Sequence, residues 1–412
     1  MAFIITQASN YQDLVDKVHD IATGTSLQTI TAIATAGSGY VVGDLLTVSG
    51  GTSTIAAVIE VVAVGGTGNI TTARVYNAGL YTVTPTNDVS VTGGSGTSAE
   101  FTLSWAANGW TAMRATNVGG SGERELILRG SGGGADQIFV GMLSYTDSGA
   151  TNIELRGFTG YSSGLTWLQQ PNISLDVYIP SQTTTMDVWL SVKPRRIIGV
   201  VKTGSGNYSS FYLGFLNQYA TPSQWAYPLF IGGSSDEPTT LSTSSSISYS
   251  SIVDPIASAS GLGPCCYRTA DGLWRRVWNS YLSGTTLRSD SSANHWIYPG
   301  GIIDSTEISD PDEWYVAYTF DWQSFIPETG IPGSTNDRLM PSIGDGKYIR
   351  IPATLNSAFP ISILGELDGC FWFNTNDVVQ AENRLQDGSD FYKVFASGSR
   401  TERWAHWCLL EE

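Results

Sequence analysis

Histidine, cysteine and clustered carboxylates are the side chains of this chain best suited to chemistry. Three histidines are present, His19, His295 and His406. Acyl transfer needs a base held beside a nucleophile, and no Gly-x-Ser-x-Gly elbow presents a serine for one. His406 stands two residues before Cys408 in Trp404-Ala-His-Trp-Cys-Leu409. On a strand the two share a face, but neither is evidently activated, so a core or interface histidine is the plainer reading. Carboxylates gather at Asp304–Glu307 and at Asp310, Asp312 and Glu313, beside Trp314 and Tyr315. Glycan cleavage would need two carboxylates roughly 5–9 Å apart, and rings beside acids suit sugar binding. The competing reading, a solvated, turn-rich acidic loop, is the favoured one, because separation along the sequence does not reveal the spacing of the carboxylates.

Other chemistries find less. Gly130-Ser-Gly-Gly-Gly134 has no following Lys-Ser/Thr and opens onto a strand, so it is no phosphate loop. No Cys/His spacing suits a metal, and no Asp-rich turn has the EF-hand pattern. No catalytic residue, cofactor or metal is therefore expected. Basic residues come in bursts, Lys193-Pro-Arg-Arg196, Arg275-Arg276 and Arg400 to Arg403, and tryptophan is abundant at 13 residues. Trp and Arg are the usual anchors of interfaces. Trp274, Arg275, Arg276, Trp278, Trp296, Arg400, Arg403 and Trp404 are accordingly the candidate interface residues.

Composition narrows the frame that must position them. Among 412 residues, 21 are basic and 37 acidic, a net charge of −16. That opposes a nucleic-acid surface, which clusters Lys and Arg to displace phosphate counterions. It equally opposes attraction to anionic membranes. Charged residues make up only 14%, while glycine reaches 46 residues. Such a mix suits short strands, tight turns and uncharged polar surfaces. Neither a secretory signal nor an apolar membrane span is expected, which points to folding in a cytosol. The cysteines agree: Cys265 and Cys266 are adjacent, Cys370 and Cys408 lie in apolar runs, and all four read as buried free thiols.

The expected fold is mainly β: a multi-strand, β-sandwich-like main domain with one N-terminal helix, and a small inserted β-domain. The helix is read over 9–22. Ser9 and Gln12 have capping-box spacing, and Tyr11, Leu14, Val15, Val18, Ile21 and Ala22 form one apolar stripe. Residues 1–30 are read as the helical start of the main domain, 31–106 as the insertion, and 107–412 as the main domain with room for two subdomains. The insertion is built of Gly, Thr, Val and Ala and echoes itself. Ala36-Gly-Ser-Gly-Tyr40 returns as Val75-Tyr-Asn-Ala-Gly-Leu-Tyr81, and Thr47–Val61 returns as Ser90–Ser104. Each half reads as strand, Gly-Gly turn, strand, with Val64–Ile70 as a hairpin turn. Later strands include Glu125–Arg129, Gln137–Ser144, Thr151–Phe158, Ser174–Ile179, Met186–Val192, Arg196–Lys202, Ser210–Phe215, Lys347–Ile351, Ser362–Leu367, Gly369–Phe373, Phe391–Phe395 and Trp404–Leu410. Asp271-Gly272, Asp345-Gly346, Asp368-Gly369 and Asp387-Gly388 read as turns between strands. Residues 233–260 and 300–345 read as long loops, the second with a strand at Glu313–Phe320.

Two regions resemble proteins of tailed bacteriophages. Gly37–Thr52, Gly-Ser-Gly-Tyr-x-x-Gly-Asp-x-Leu-Thr-Val-Ser-Gly-Gly-Thr, is similar to a repeat found in phage tail and fibre proteins. The second resemblance is to a family of phage virion proteins. It rests on Gly122–Gly130, Ile153–Tyr161, Arg195–Lys202, Tyr212–Trp225, Tyr227–Ser234 and Leu364–Gly369, in order. In that family the helix runs almost directly into an Asn-x-Trp segment, here Asn108-Gly-Trp110, which implies that the Gly-rich domain is an insertion. The resemblance implies a virion component, in tail or baseplate, assembled in the host cytoplasm and working by assembly. Its implied partners are other virion proteins and copies of itself in a symmetric ring, with a host-surface glycan as a further candidate. Neither nucleic acid nor membrane insertion is expected. A glycan-degrading tail enzyme and a head-decoration or collar protein are the alternatives.

Overall fold

A computed structural model describes residues 1–132, 136–147, 149–204, 206–219, 221, 224–235, 237–238, 252–253, 264–277, 295–298, 350–358, 361–373, 380–396 and 406–411. The fold is mainly β, with a single α-helix near the N-terminus among the described residues.

The chain opens with β1 (Ala2–Ala8) and α1 (Tyr11–Thr23). The cap differs from the expected one. Asn10, not Ser9, is the N-cap: its side chain accepts from the Gln12 and Asp13 amides, both at 2.9 Å. Ser9 instead gives its amide to Asp13 Oδ2 at 2.7 Å. Ser and Asn are comparable caps, so adjacent candidates are separated by the path of the chain. Leu14, Val15, Val18, Ile21 and Ala22 are all buried, as their spacing requires.

Eight strands follow: β2 (Thr25–Ser38), β3 (Leu45–Val48), β4 (Thr52–Ile55), β5 (Val58–Val64), β6 (Ile70–Asn77), β7 (Leu80–Val83), β8 (Val89–Thr92) and β9 (Thr97–Ala107). They form one sheet in the order β4-β7-β2-β9-β8-β3-β5-β6. The ends of that order meet. β4 and β5 are successive pieces of one run, and they pair with β7 and β6 of another. β2 pairs with both β9 and β7. The sheet therefore closes as a small barrel, which removes the exposed edges an open sheet would carry. Val64–Ile70 is a hairpin turn as read. Both Gly-Gly turns lie between strands that pair: Gly93-Gly94 joins β8 and β9, and Gly50-Gly51 leads from β3 into the run of β4 and β5, whose second piece pairs back on β3.

The main body continues with β10 (Thr111–Thr116), β11 (Glu125–Ser131), β12 (Gln137–Asp147), β13 (Ala150–Phe158) and β14 (Val177–Pro180), an antiparallel sheet in chain order. Next come β15 (Met186–Lys193), β16 (Arg196–Gly204), β17 (Asn207–Phe215), β18 (Asn217–Gln218), β19 (Leu229–Gly232), β20 (Cys265–Arg268) and β21 (Trp274–Val277). With β1 at one side they build a second sheet, β1-β15-β16-β17-β19-β20-β21. The last strands are β22 (His295–Tyr298), β23 (Arg350–Ala358), β24 (Ile361–Phe373), β25 (Arg384–Asp387), β26 (Asp390–Ala396) and β27 (His406–Leu410). They form a third sheet, to which β18 adds by pairing with β24.

These sheets stack as a β-sandwich-like body. Leu126, Val140 and Ile153 of the first sheet share a core with Val188, Leu190 and Leu213 of the second. The opposite face of the second sheet, through Trp189, Ile198 and Tyr212, meets Leu355, Cys370 and Trp407 of the third. The second sheet is thus covered on both faces, which is why Arg196-Ile-Ile-Gly-Val-Val201 reads as a continuous apolar run without alternation. The barrel's interior, including Leu46, Ile59 and Phe101, belongs to the same core cluster as α1 and the first two sheets.

One expectation changes in the third sheet, while the described part of Lys347–Ile351, Arg350 and Ile351, lies in β23, which runs on to Ala358. Asp368-Gly369 is not a turn: it lies inside the continuous strand β24, where the register with β23 jumps between Pro352↔Phe371 and Thr354↔Glu366. Gly369, at φ +85°, supplies the conformation this bulge requires. The Glu313–Phe320 strand and nearly all of both long loops lie outside the described residues.

Candidate functional site

Of the expected interface residues, Trp274, Arg275 and Arg276 lie on β21, an edge strand of the second sheet. Trp274 turns inward. Its indole N–H donates to the Asn172 carbonyl at 3.0 Å, and its ring covers Gly157 so closely that an added Cβ there would stand 2.9 Å from it. Arg276 holds the same neighbourhood, with Nη2 at 2.8 Å from Asp176 Oδ1 and Nη1 donating to the Asp176 carbonyl at 3.0 Å. Both side chains tie β21 to the 172–176 segment, so less of either is left for a partner than their types suggested. Arg275 is paired across the ladder with Tyr267. Trp296 lies in β22, but its side chain is not among those described. Trp278, Arg400, Arg403, Trp404 and the carboxylates Asp304–Glu313 lie outside the described residues.

An open cleft of about 440 Å³ lies where the first sheet meets the segment before β19 and the end of β20. Asp136, Gln137, Phe139, Thr159, Tyr227 and Arg268 line it. The Tyr227 hydroxyl donates to the Gln137 carbonyl at 2.6 Å and Arg268 stacks 5.3 Å above its ring. Burial raises the Tyr227 phenol well above its ordinary value, so it stays protonated. A second groove, about 310 Å³, shares Asp136 and Gln137 and adds Thr111, Arg129 and Ser131. Among the described residues of these linings Asp136 is the one carboxylate, and none is a histidine or cysteine. The described side chains can donate and accept hydrogen bonds.

Charge is instead concentrated at a seam between the barrel and the third sheet. Arg74 of β6 pairs with Glu60 of β5 and, at 2.9 Å, with Glu411, which is 3% exposed. Arg384 of β25 closes the circuit, with Nη1 2.9 Å from Glu60 and Nε 2.6 Å from Glu411. The guanidiniums also stack: Arg74 lies 3.8 Å from the Phe391 ring centroid and Arg384 4.2 Å from that of Tyr76. Burial lowers the nearby Lys393 amine below its usual range, with Arg384 and Arg74 adding to the effect. β6 is tied to β1 as well, through Ala78 N–H to the Phe3 carbonyl and Asn77 Nδ2 to the Ile5 carbonyl. The barrel is therefore fastened along its side, not only by its two chain ends.

A second charged group lies within the body. Arg196 is fully buried and donates to the Ser191 carbonyl at 2.8 Å and to its hydroxyl at 2.9 Å. Its Nε approaches Asp368 Oδ2 at 3.3 Å, where Lys193 adds a contact of 2.8 Å. Burial would raise the Asp368 carboxyl, but Arg196 and Lys193 outweigh it and hold the group below its ordinary value.

The cysteines resolve as structure. All four cysteines are buried and free. Burial raises each thiol, Cys266 to about 11, so none is a ready thiolate. His19 contacts its neighbour Asp20 at 2.8 Å. The side chains of His295 and His406 are not described. Among the described residues, no group of three or more His, Cys, Asp or Glu is placed to hold a metal. Asn108 and Trp110 close the barrel junction: Asn108 Nδ2 donates to the Ile21 carbonyl at 2.7 Å, and the Trp110 indole to that of Lys193 at 2.8 Å.

Sequence reasoning passed over Arg74, Glu60, Arg384 and Glu411. A signal was present: Arg74 interrupts the otherwise uncharged run Ile70-Thr-Thr-Ala-Arg-Val-Tyr76 of a low-charge segment. The partner, more than 300 positions away, had no such mark. No protein-family model matches the chain, and no curated protein matches it.

Proposed function

We propose that this chain is a structural component of a tailed-bacteriophage particle, in the tail or baseplate, that works by assembly and performs no chemical turnover. The observation that carries the reading is the rigid attachment of the segment bearing the Gly-Ser-Gly-Tyr pattern. That segment is a closed barrel, its core is continuous with the body, and a buried ion cluster locks its side to the third sheet. A fixed projection transmits position and load to whatever it touches. A module on a loose linker would not. The low charge of the chain also limits the desolvation cost of close contact with neighbouring subunits.

On this reading the partners are other virion proteins and further copies of the chain in a ring, with a host-surface glycan as an additional contact. The test is to label particles of the encoding phage with an antibody to the purified chain. Label confined to tail or baseplate supports the proposal, and label on head or collar, or none on assembled particles, sinks it. Incubation of the purified chain with host envelope polysaccharide checks turnover. Release of reducing ends that is lost in a variant neutralised at Asp304, Glu307, Asp310 and Asp312 would make the glycan-degrading alternative the better one.

A further inference from the structure

We infer that the barrel is one self-complementary half built twice, so that the partner each half is shaped to bind is a second copy of itself. The first half runs over 25–64 and the second over 70–107. The long opening strand of the first, β2, pairs with the closing strand of the second, β9. The opening run of the second, β6 and β7, pairs with the closing run of the first, β5 and β4. Neither half pairs its own long strands with each other. Both ladders carry register irregularities, three between Leu27 and Thr35 in one and, in the other, three between Val58 and Val64 with two more between Thr52 and Ile55. At the centre, the equivalent strands β3 and β8 face each other antiparallel, Val48 opposite Val91 and Thr47 opposite Thr92. A twofold relation requires that arrangement where equivalent strands meet.

Side chains repeat the exchange. The Tyr40 hydroxyl accepts the Ala99 amide at 3.4 Å, and the Tyr81 hydroxyl accepts the Ala57 amide at 3.1 Å. Each tyrosine thus satisfies a buried donor in the other half. The glycines before them behave alike. Gly37, at φ +59°, lies against Thr97 and Ala99; Gly79, at φ +64°, lies against Ile55 and Ala57. A Cβ on either would stand 2.5 Å or less from backbone of the opposite half. An isolated half would leave both long strands unpaired and an amide without its tyrosine, so only another half completes it. The Gly65–Asn69 turn joins two such units and makes their association intramolecular. This inference does not depend on where the protein works.

The test uses the full-length chain. One variant carries the sequence of Ala36–Val61 in place of Ala78–Leu103, which makes the halves alike while keeping Arg74, Tyr76 and Asn77 against the body. A second carries Ala78–Leu103 in place of Ala36–Val61. Hydrogen exchange is read over the barrel and, as reference, over β15–β17. Protection of barrel amides by about 100-fold or more in either variant is the expected result. Unprotected barrels in both, with β15–β17 still slow, would overturn the inference. Tyr40→Phe and Tyr81→Phe in the natural chain give an independent check. Faster exchange should appear at Ala99 and Ala57 respectively, and acceleration confined to the half that carries the substitution would also overturn it.

Discussion

The barrel and the body close their cores by different means. In the barrel the buried groups are mostly aliphatic, and the register is set by left-handed glycines and by tyrosine hydroxyls that reach backbone amides. In the body the corresponding work falls to large rings and buried charge. Trp189, Tyr208, Phe395 and Trp407 interlock with neighbouring centroids 5.2–6.3 Å apart, and Arg196 sits between two sheets with no exposure. The barrel relies on backbone conformation, which is local. The body relies on partners brought together from distant parts of the chain. The seam at Arg74 and Arg384 is where the barrel adopts the body's method.

That contrast can be broken at its strongest point first. Arg196→Met should cost about 3–5 kcal/mol, the scale for stripping one partner from a buried ion pair, because it orphans the Ser191 acceptors and half of Asp368's pairing. Urea unfolding followed by tryptophan fluorescence measures it, and a loss under about 1 kcal/mol would show that the body does not depend on this charge. Arg74→Ala should come next, at about 2–4 kcal/mol, since Arg384 still faces both carboxylates. The informative sign is uncoupling: calorimetry should resolve a barrel transition below that of the body, and one unchanged cooperative peak would mean that the shared apolar core couples them unaided.

Gly79→Ala sharpens the barrel side of the comparison. The left-handed backbone alone costs an alanine about 1–2 kcal/mol, and here the methyl would also meet Ala57 N at 2.5 Å. Gly43→Ala carries the same backbone penalty with nothing within 4 Å. Chemical denaturation of the pair should show Gly79→Ala the more damaging, and equal losses would remove the close interlock from the account.

The smallest effect concerns acid. Asp368 is held below its ordinary value when folded, so its pairing stabilises the fold above about pH 4. That contribution is lost as pH falls through the depressed folded value. Asp368→Asn should lower the neutral-pH Tm by about 1–2 °C, from about 1 kcal/mol for one net hydrogen bond, since the amide oxygen can still accept from Arg196 and Lys193. The gap from the natural chain should narrow below pH 4, and a constant gap down to pH 2 would place the acid sensitivity elsewhere.

Much of the fold was legible where the physics is local. The apolar stripe of α1 and the turn at Val64–Ile70 each reflect a period or a turn preference contained in a few residues. Legibility failed where two local signals looked alike. Asp368-Gly369 has the composition of a hairpin turn, but the same left-handed glycine serves a bulge inside a strand. The candidate interface residues divided in the same way. The types of Trp274 and Arg276 announced burial or binding, and only the position of Asn172, Asp176 and Gly157 assigned them inward.

By itself, then, the sequence determined the β character of the chain, its one N-terminal helix, its buried free thiols and the existence of a duplicated Gly-rich segment. Each follows from composition or from contacts a few residues apart. Tertiary structure alone decided that the duplicated halves exchange strands, that Arg74 finds Glu411 across the chain, and that the second sheet is covered on both faces. A strand's pattern states which of its faces must be covered. It carries no address for the strand or charge that will cover it, because backbone ladders and ion pairs are chemically interchangeable until packing brings one particular pair together.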